Sequence, residues 1–150
     1  MRNAVFFLLF IALLPCNIFA QSAAPLTWSL LRTIPREPEH FTQGLVYADQ
    51  QLFESTGRYG QSAVIAYDAA TLTKKNYKTL PTDIFGEGLT FLHGKLYQLS
   101  WKSQRMFVYN TAPQLLQTLP IRGEGWGLTT DGHSLIMSNG TDILQFLDPI

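Results

Sequence analysis

From Leu26 onward, apolar residues come in short or alternating runs broken by Gly, Pro, Asn and Asp, and no stretch holds a helical period beyond two turns. The pattern predicts an all-β chain. Three of these runs open on a Gly-Leu pair: Gly44-Leu45, Gly88-Leu89 and Gly127-Leu128. Superposing the pairs brings further features into register without a gap, as an internal repeat requires. Each leucine is followed seven residues later by another, Leu52, Leu96 and Leu135, with Ala48-Asp49-Gln50-Gln51, His93-Gly94 or Asp131-Gly132 between them. Those are hairpin connections. A third strand is expected at Ala63–Asp68, Arg105–Asn110 and Asp142–Asp148, ending each time in a bulky residue plus Asp or Asn that turns the chain. A fourth follows at Lys75–Leu80 and Leu115–Leu119, closed by Thr79-Leu80-Pro81 and Thr118-Leu119-Pro120. Proline cannot donate to a ladder, so these strands suit the outer edge of a sheet.

The repeat spacing is 44 residues from Gly44 to Gly88 and 39 from Gly88 to Gly127, close to the roughly 40–45 of four-stranded propeller blades. A β-propeller is therefore the expected architecture, with an open sandwich of the same strands as its rival. The chain supplies two complete repeats and the first three strands of another, about three blades, against about four in the smallest common propellers. It reads as the N-terminal part of a longer, truncated propeller. Thr27–Ile34 closes on Thr33-Ile34-Pro35, like the Thr-Leu-Pro of the fourth strands, and is expected to complete a closing blade.

Met1–Ala20 has the marks of a secretory signal: Arg2, an apolar run from Ala4 to Leu14, and Ile18-Phe19-Ala20 before Gln21. The run is short for a spanning helix, which needs about 20 apolar residues. Cys16 raises a lipoprotein alternative, but Pro15 stands where such signals want a small residue. With cleavage after Ala20, residues 21–150 form a secreted or periplasmic propeller domain with no membrane contact. That domain has no cysteine, hence no disulfide, thiol nucleophile or Cys-based zinc site. Ten basic residues against eleven acidic remain once Arg2 is removed, so no basic field points to nucleic acid.

The residue before each Gly-Leu pair changes chemistry while the scaffold repeats: Gln43, Glu87, Trp126. In a propeller the first strand of each blade lines the central channel, so these three side chains would share one end of it. Flanking glycines would let the backbone crowd the axis. The bland alternative is a solvated glutamate at a strand end, with Phe41, Phe85, Trp101 and Trp126 as core. Against it, Trp101 replaces Gly57 and Gly140 at the equivalent position of the other repeats, which suits a side chain filling a local space. Ser55-Thr56-Gly57 and Ser138-Asn139-Gly140 read as strand-end turns rather than nucleophile sites. His40, His93 and His133 lie out of register, so no triad, zinc site or other metal site emerges.

Taken in order, Phe41-Thr42-Gln43-Gly44-Leu45, Glu54-Ser55-Thr56-Gly57-Arg58-Tyr59-Gly60, Phe85-Gly86-Glu87-Gly88-Leu89-Thr90, Leu96–Trp101 and Glu124-Gly125-Trp126-Gly127-Leu128 resemble the plant and bacterial type of glutaminyl-peptide cyclotransferase. The resemblance implies a five-bladed β-propeller, without a cofactor, that converts the N-terminal Gln of peptides or proteins to pyroglutamate and releases ammonia. It implies Glu87 as acid/base and a pocket lined by Phe41, Gln43, Phe85, Trp101 and Trp126. A lysine and another aromatic would come from later blades, beyond Ile150. A monomer is expected. The competing functions are a non-catalytic propeller that binds peptides or sugars through its aromatic cluster, and a metal-dependent lactonase-like propeller, which would need several carboxylates at the axis.

Overall fold

The computed structural model describes residues 24–149 apart from 32 and 34; the expected signal Met1–Ala20 lies outside the described residues. The chain divides into two units, residues 1–34 and Pro35–Ile150, and the second holds every strand described. In chain order these are β1 Phe41–Ala48, β2 Gln51–Gly57, β3 Ala63–Asp68, β4 Lys74–Thr79, β5 Gly86–Leu92, β6 Lys95–Ser100, β7 Arg105–Tyr109, β8 Leu115–Pro120, β9 Leu128–Thr130, β10 Leu135–Met137 and β11 Gln145–Leu147. They form three antiparallel meanders, β1-β2-β3-β4, β5-β6-β7-β8 and β9-β10-β11. These are the blade-like units that the repeat predicts.

The turn chemistry explains the meanders. Asp49 and Gln50 both take positive φ (48° and 59°), as do His93 and Gly94 (49° and 77°), giving the two-residue hairpin turns whose twist matches the strands they join. Asp68 Oδ1 accepts from the amides of Ala70 and Thr71, and Asn110 Oδ1 from those of Ala112 and Gln114, so these residues reverse the chain as expected. Asp131 Oδ1 does the same with His133 and Ser134.

Two apolar clusters lie between the sheets. Phe53, Val64, Leu80, Ile84, Leu89, Leu96, Phe107 and Tyr109 join the first sheet to the second. Leu92, Tyr97, Leu99, Met106, Val108, Ile121, Leu135 and Met137 join the second to the third. Successive residues of β6 face opposite clusters, and both faces of the middle sheet are buried.

Two expectations differ from the structure. The described residues of Thr27–Ile34 form no strand, and Leu26, Trp28, Leu30 and Leu31 are exposed. None of the three sheets contains a strand from this segment, and without a ladder partner its backbone groups gain nothing from strand geometry. The expected strand at Asp142–Asp148 shortens to β11, because it pairs on one side only, with β10, while Asn139 Oδ1 draws the Thr141 amide and hydroxyl into a local turn.

Candidate active site

Gln43, Glu87 and Trp126 occupy the same irregularity in their respective sheets. Thr42 pairs with Thr56 and Gly44 with Ser55, so Gln43 is an extra residue in β1. Gly86 pairs with Ser100 and Leu89 with Gln98, which places Glu87 and Gly88 together opposite Leu99. In the third repeat Ser138 serves two residues at once: its carbonyl accepts from the Trp126 amide and its amide donates to the Gly127 carbonyl, each at 3.0 Å. This is a β-bulge, which re-aims a side chain off the regular alternation. The expected strand pattern contained no bulge.

The glycines allow the first strands to close on one another. A Cβ on Gly88 would lie 2.5 Å from both the Trp126 carbonyl oxygen and the Leu128 nitrogen, and one on Gly44 would lie 2.5 Å from the Leu89 nitrogen. The Gly88 amide instead donates to the Trp126 carbonyl at 2.8 Å, joining the second repeat to the third. Behind the bulge runs a buried polar chain. The Tyr109 hydroxyl donates to Gln98 Oε1 at 2.9 Å, Gln98 Nε2 donates to Ser55 Oγ at 2.7 Å, and Ser55 Oγ donates to the Glu87 carbonyl. Ser62 Oγ accepts from the adjoining Gly86 amide at 3.0 Å. Ser55 is therefore a buried support for the bulge rather than part of a strand-end turn.

The Glu87 side chain is half-buried, and its carboxyl is raised to about 7. Desolvation is the main cause; a hydrogen bond from Gln43 opposes it, and the negative charge of Glu124 adds to it. Two residues before Glu87, the Phe85 ring gathers the aromatics: it meets Tyr59 at 5.5 Å, Trp101 at 5.6 Å and Phe41 at 6.3 Å between ring centroids, all edge-on. Gly57 makes room for the Phe85 ring and Gly140 for the Trp126 ring: an added Cβ would lie 2.4 Å and 2.6 Å from them, respectively. Glu124 Oε2 accepts from the indole N–H groups of both Trp101, at 2.7 Å, and Trp126, at 3.0 Å.

Contacts thus link Phe41 through Phe85 to Trp101 and across Glu124 to Trp126, while Glu87 takes a hydrogen bond from Gln43 and feels the Glu124 charge. Sequence reasoning missed Glu124 and Tyr59. For Glu124 a signal existed, since it stands two residues before the bulge, where the other repeats carry Phe41 and Phe85. No group of three or more His, Cys, Asp or Glu side chains able to hold a metal occurs among the described residues.

A glutamine cyclotransferase family profile matches residues 5–150. The chain belongs to the glutamine cyclotransferase family. It is 41% identical over 119 residues to a glutaminyl-peptide cyclotransferase of Arabidopsis thaliana, a match covering 77% of this chain and 37% of that protein. The crystal structure of the Myxococcus xanthus glutaminyl cyclase superposes with a TM-score of 0.71 and 33% identity, over 81% of this chain and 51% of that one. The β-propeller domain of Myceliophteria thermophila Cps50 matches at a TM-score of 0.56 and 12% identity, over 79% of this chain and 38% of its own, a likeness of fold alone. Three sheets of this family member thus correspond to part of a propeller, and the chain spans about half or less of the length of these relatives.

Proposed function

We propose that this family member takes part in converting N-terminal glutamine to pyroglutamate, with Glu87 as the proton carrier. The observation that carries the reading is a half-buried carboxyl raised to about 7 by desolvation, on a bulge where Gln43 donates to it. Cyclisation is attack by the substrate's α-amine on its own γ-carboxamide carbon. The ring C–N bond forms as the bond to the side-chain nitrogen breaks, so no enzyme nucleophile is required.

A group with a pKa of about 7 is suited to both halves of the proton traffic. Ionised Glu87 accepts the proton lost by the attacking amine, then returns it to the departing nitrogen, which leaves as ammonia. The Gln43 amide donates to the carboxamide oxygen while negative charge builds there. Phe85, Trp101 and Trp126 confine the short side chain to a folded shape in which amine and carbonyl carbon meet. The leader-like Met1–Ala20 supports export, with peptides or proteins bearing N-terminal Gln as substrates.

The test is incubation of the chain with a glutaminyl tripeptide, following ammonia release and the matching mass loss of the peptide. Turnover above the spontaneous rate is expected. Binding of the peptide without conversion favours a non-catalytic propeller instead, and loss of turnover on chelation favours metal chemistry.

A further inference from the structure

Glu124 has no part in the proton transfer described above, yet three independent features converge on it. Its Oε2 takes both indole N–H groups of the pocket. Its loop is fastened from behind, because the next amide, Gly125, donates to the Trp101 carbonyl at 2.9 Å and the Ser100 carbonyl at 3.2 Å. A Cβ on Gly125 would lie 2.8 Å from that Ser100 oxygen, so only glycine lets the loop seat this closely. Finally, the Glu124 charge reaches Glu87, since it adds to the rise in that carboxyl.

We infer that Glu124 is a positioning and specificity-determining residue, which ties Trp101 and Trp126 together as pocket walls and fixes a negative charge beside Glu87 that rejects an acidic N-terminal side chain. The inference rests on the proposed pyroglutamate-forming reading. The indole bonds keep the Glu124 carboxyl below the ordinary range, Trp126 contributing most, so the charge persists wherever Glu87 titrates. Lys102 stands over the Trp101 ring at 4.1 Å and also favours the ionised Glu124, while Arg58 lies over the Phe41 ring at 5.5 Å. Glutamate has nearly the shape of glutamine, so no pocket separates the two by volume. A fixed like charge can.

Two variants separate the clamp from the charge. Glu124→Gln keeps an acceptor oxygen and removes the charge; Glu124→Ala removes both. In isotopically labelled chain, Trp101 and Trp126 indole protons should exchange slowly beside those of exposed Trp28, and Glu124→Ala should speed both by about tenfold or more. Glu124→Gln should lower the titration midpoint of the Glu87 carboxyl carbon. It should also narrow the preference for a Gln-Ala-Ala over a Glu-Ala-Ala peptide, measured by competition binding, by roughly tenfold. Unchanged indole exchange in Glu124→Ala overturns the clamp; unchanged peptide preference in Glu124→Gln overturns the charge selection. A wild-type chain that binds neither peptide overturns the pyroglutamate-forming reading and charge selection with it, while indole exchange still decides the clamp.

Discussion

Glu54 on β2 and Glu87 on β5 are both withdrawn from water, but the protein solvates them differently. Glu54 is the deeper, at 4% exposed, and donors surround it: Arg36 pairs with Oε1, Thr42 donates to the same oxygen, and Tyr67 donates to Oε2 at 2.9 Å with His40 Nδ1 at 3.3 Å. Glu87 is half-buried, with Gln43 as its donor and Glu124 as a like charge acting on it. Glu54 meets a full set of donors where it is buried. Glu87 does not, and desolvation raises its carboxyl to about 7.

The second repeat reinforces the contrast. Gln98 stands where Glu54 stands in the first, and it reaches Ser55 Oγ and the Ala63 carbonyl of the preceding sheet, while Tyr109 donates to it as Tyr67 does to Glu54. A neutral amide suffices there because the neighbouring sheet supplies the partners. At Glu54 the cation of Arg36 takes that place, and charge pairs with charge.

The largest effect should come from exchanging function between the two acids. Glu87→Gln should lower kcat for glutaminyl peptides by roughly 10²–10⁴-fold, while Glu54→Gln should leave kcat within about threefold; equal losses in the two variants would break the comparison. Next is Gly88→Ala, whose methyl group would collide with backbone of the third repeat. It should cost about 3 kcal/mol in chemical denaturation, since neither side of the contact is a movable side chain. Glu54→Ala should cost about 2 kcal/mol by the same measurement, because it removes the carboxylate that accepts from the Tyr67 hydroxyl and unpairs Arg36, a half-exposed cation that recovers part of its hydration.

The smallest effect concerns pH. Glu87 is raised from near 4.5 to about 7, so between those values the folded chain holds a proton that the unfolded chain has released. Its contribution favours folding at low pH and is lost as pH rises through 7. Glu87→Gln cannot ionise and should therefore be more stable than wild type at pH 8, by on the order of 1 kcal/mol after allowance for solvent screening, with the difference vanishing near pH 4. Thermal melts of both proteins at the two pH values check this. A constant difference would place the effect in packing rather than in charge.

Strand order, hairpin positions and the blade repeat could be read along the chain because each is dictated locally. Asp49-Gln50 and His93-Gly94 fix turns within a few residues, and the alternation of β6 reports two buried faces without reference to what covers them. The described residues of Thr27–Ile34 are in no strand for the converse reason: the segment suits one, but a ladder forms only where a partner lies beside it.

At the site, the Gly-Leu register alone put Gln43, Glu87 and Trp126 at one level of the repeat, and the lone Trp101 marked a space that the other repeats fill with glycine. Tertiary structure decided the rest. The extra residue in each first strand can be seen only against its partner strand, and the Glu87 carboxyl owes its rise chiefly to the burial that folding imposes. Glu124 joined the site because folding brings two indoles to its oxygen, one of them 23 residues away. Backbone pattern is a property of neighbours along the chain; desolvation and charge coupling depend on distances in space, which the fold alone sets.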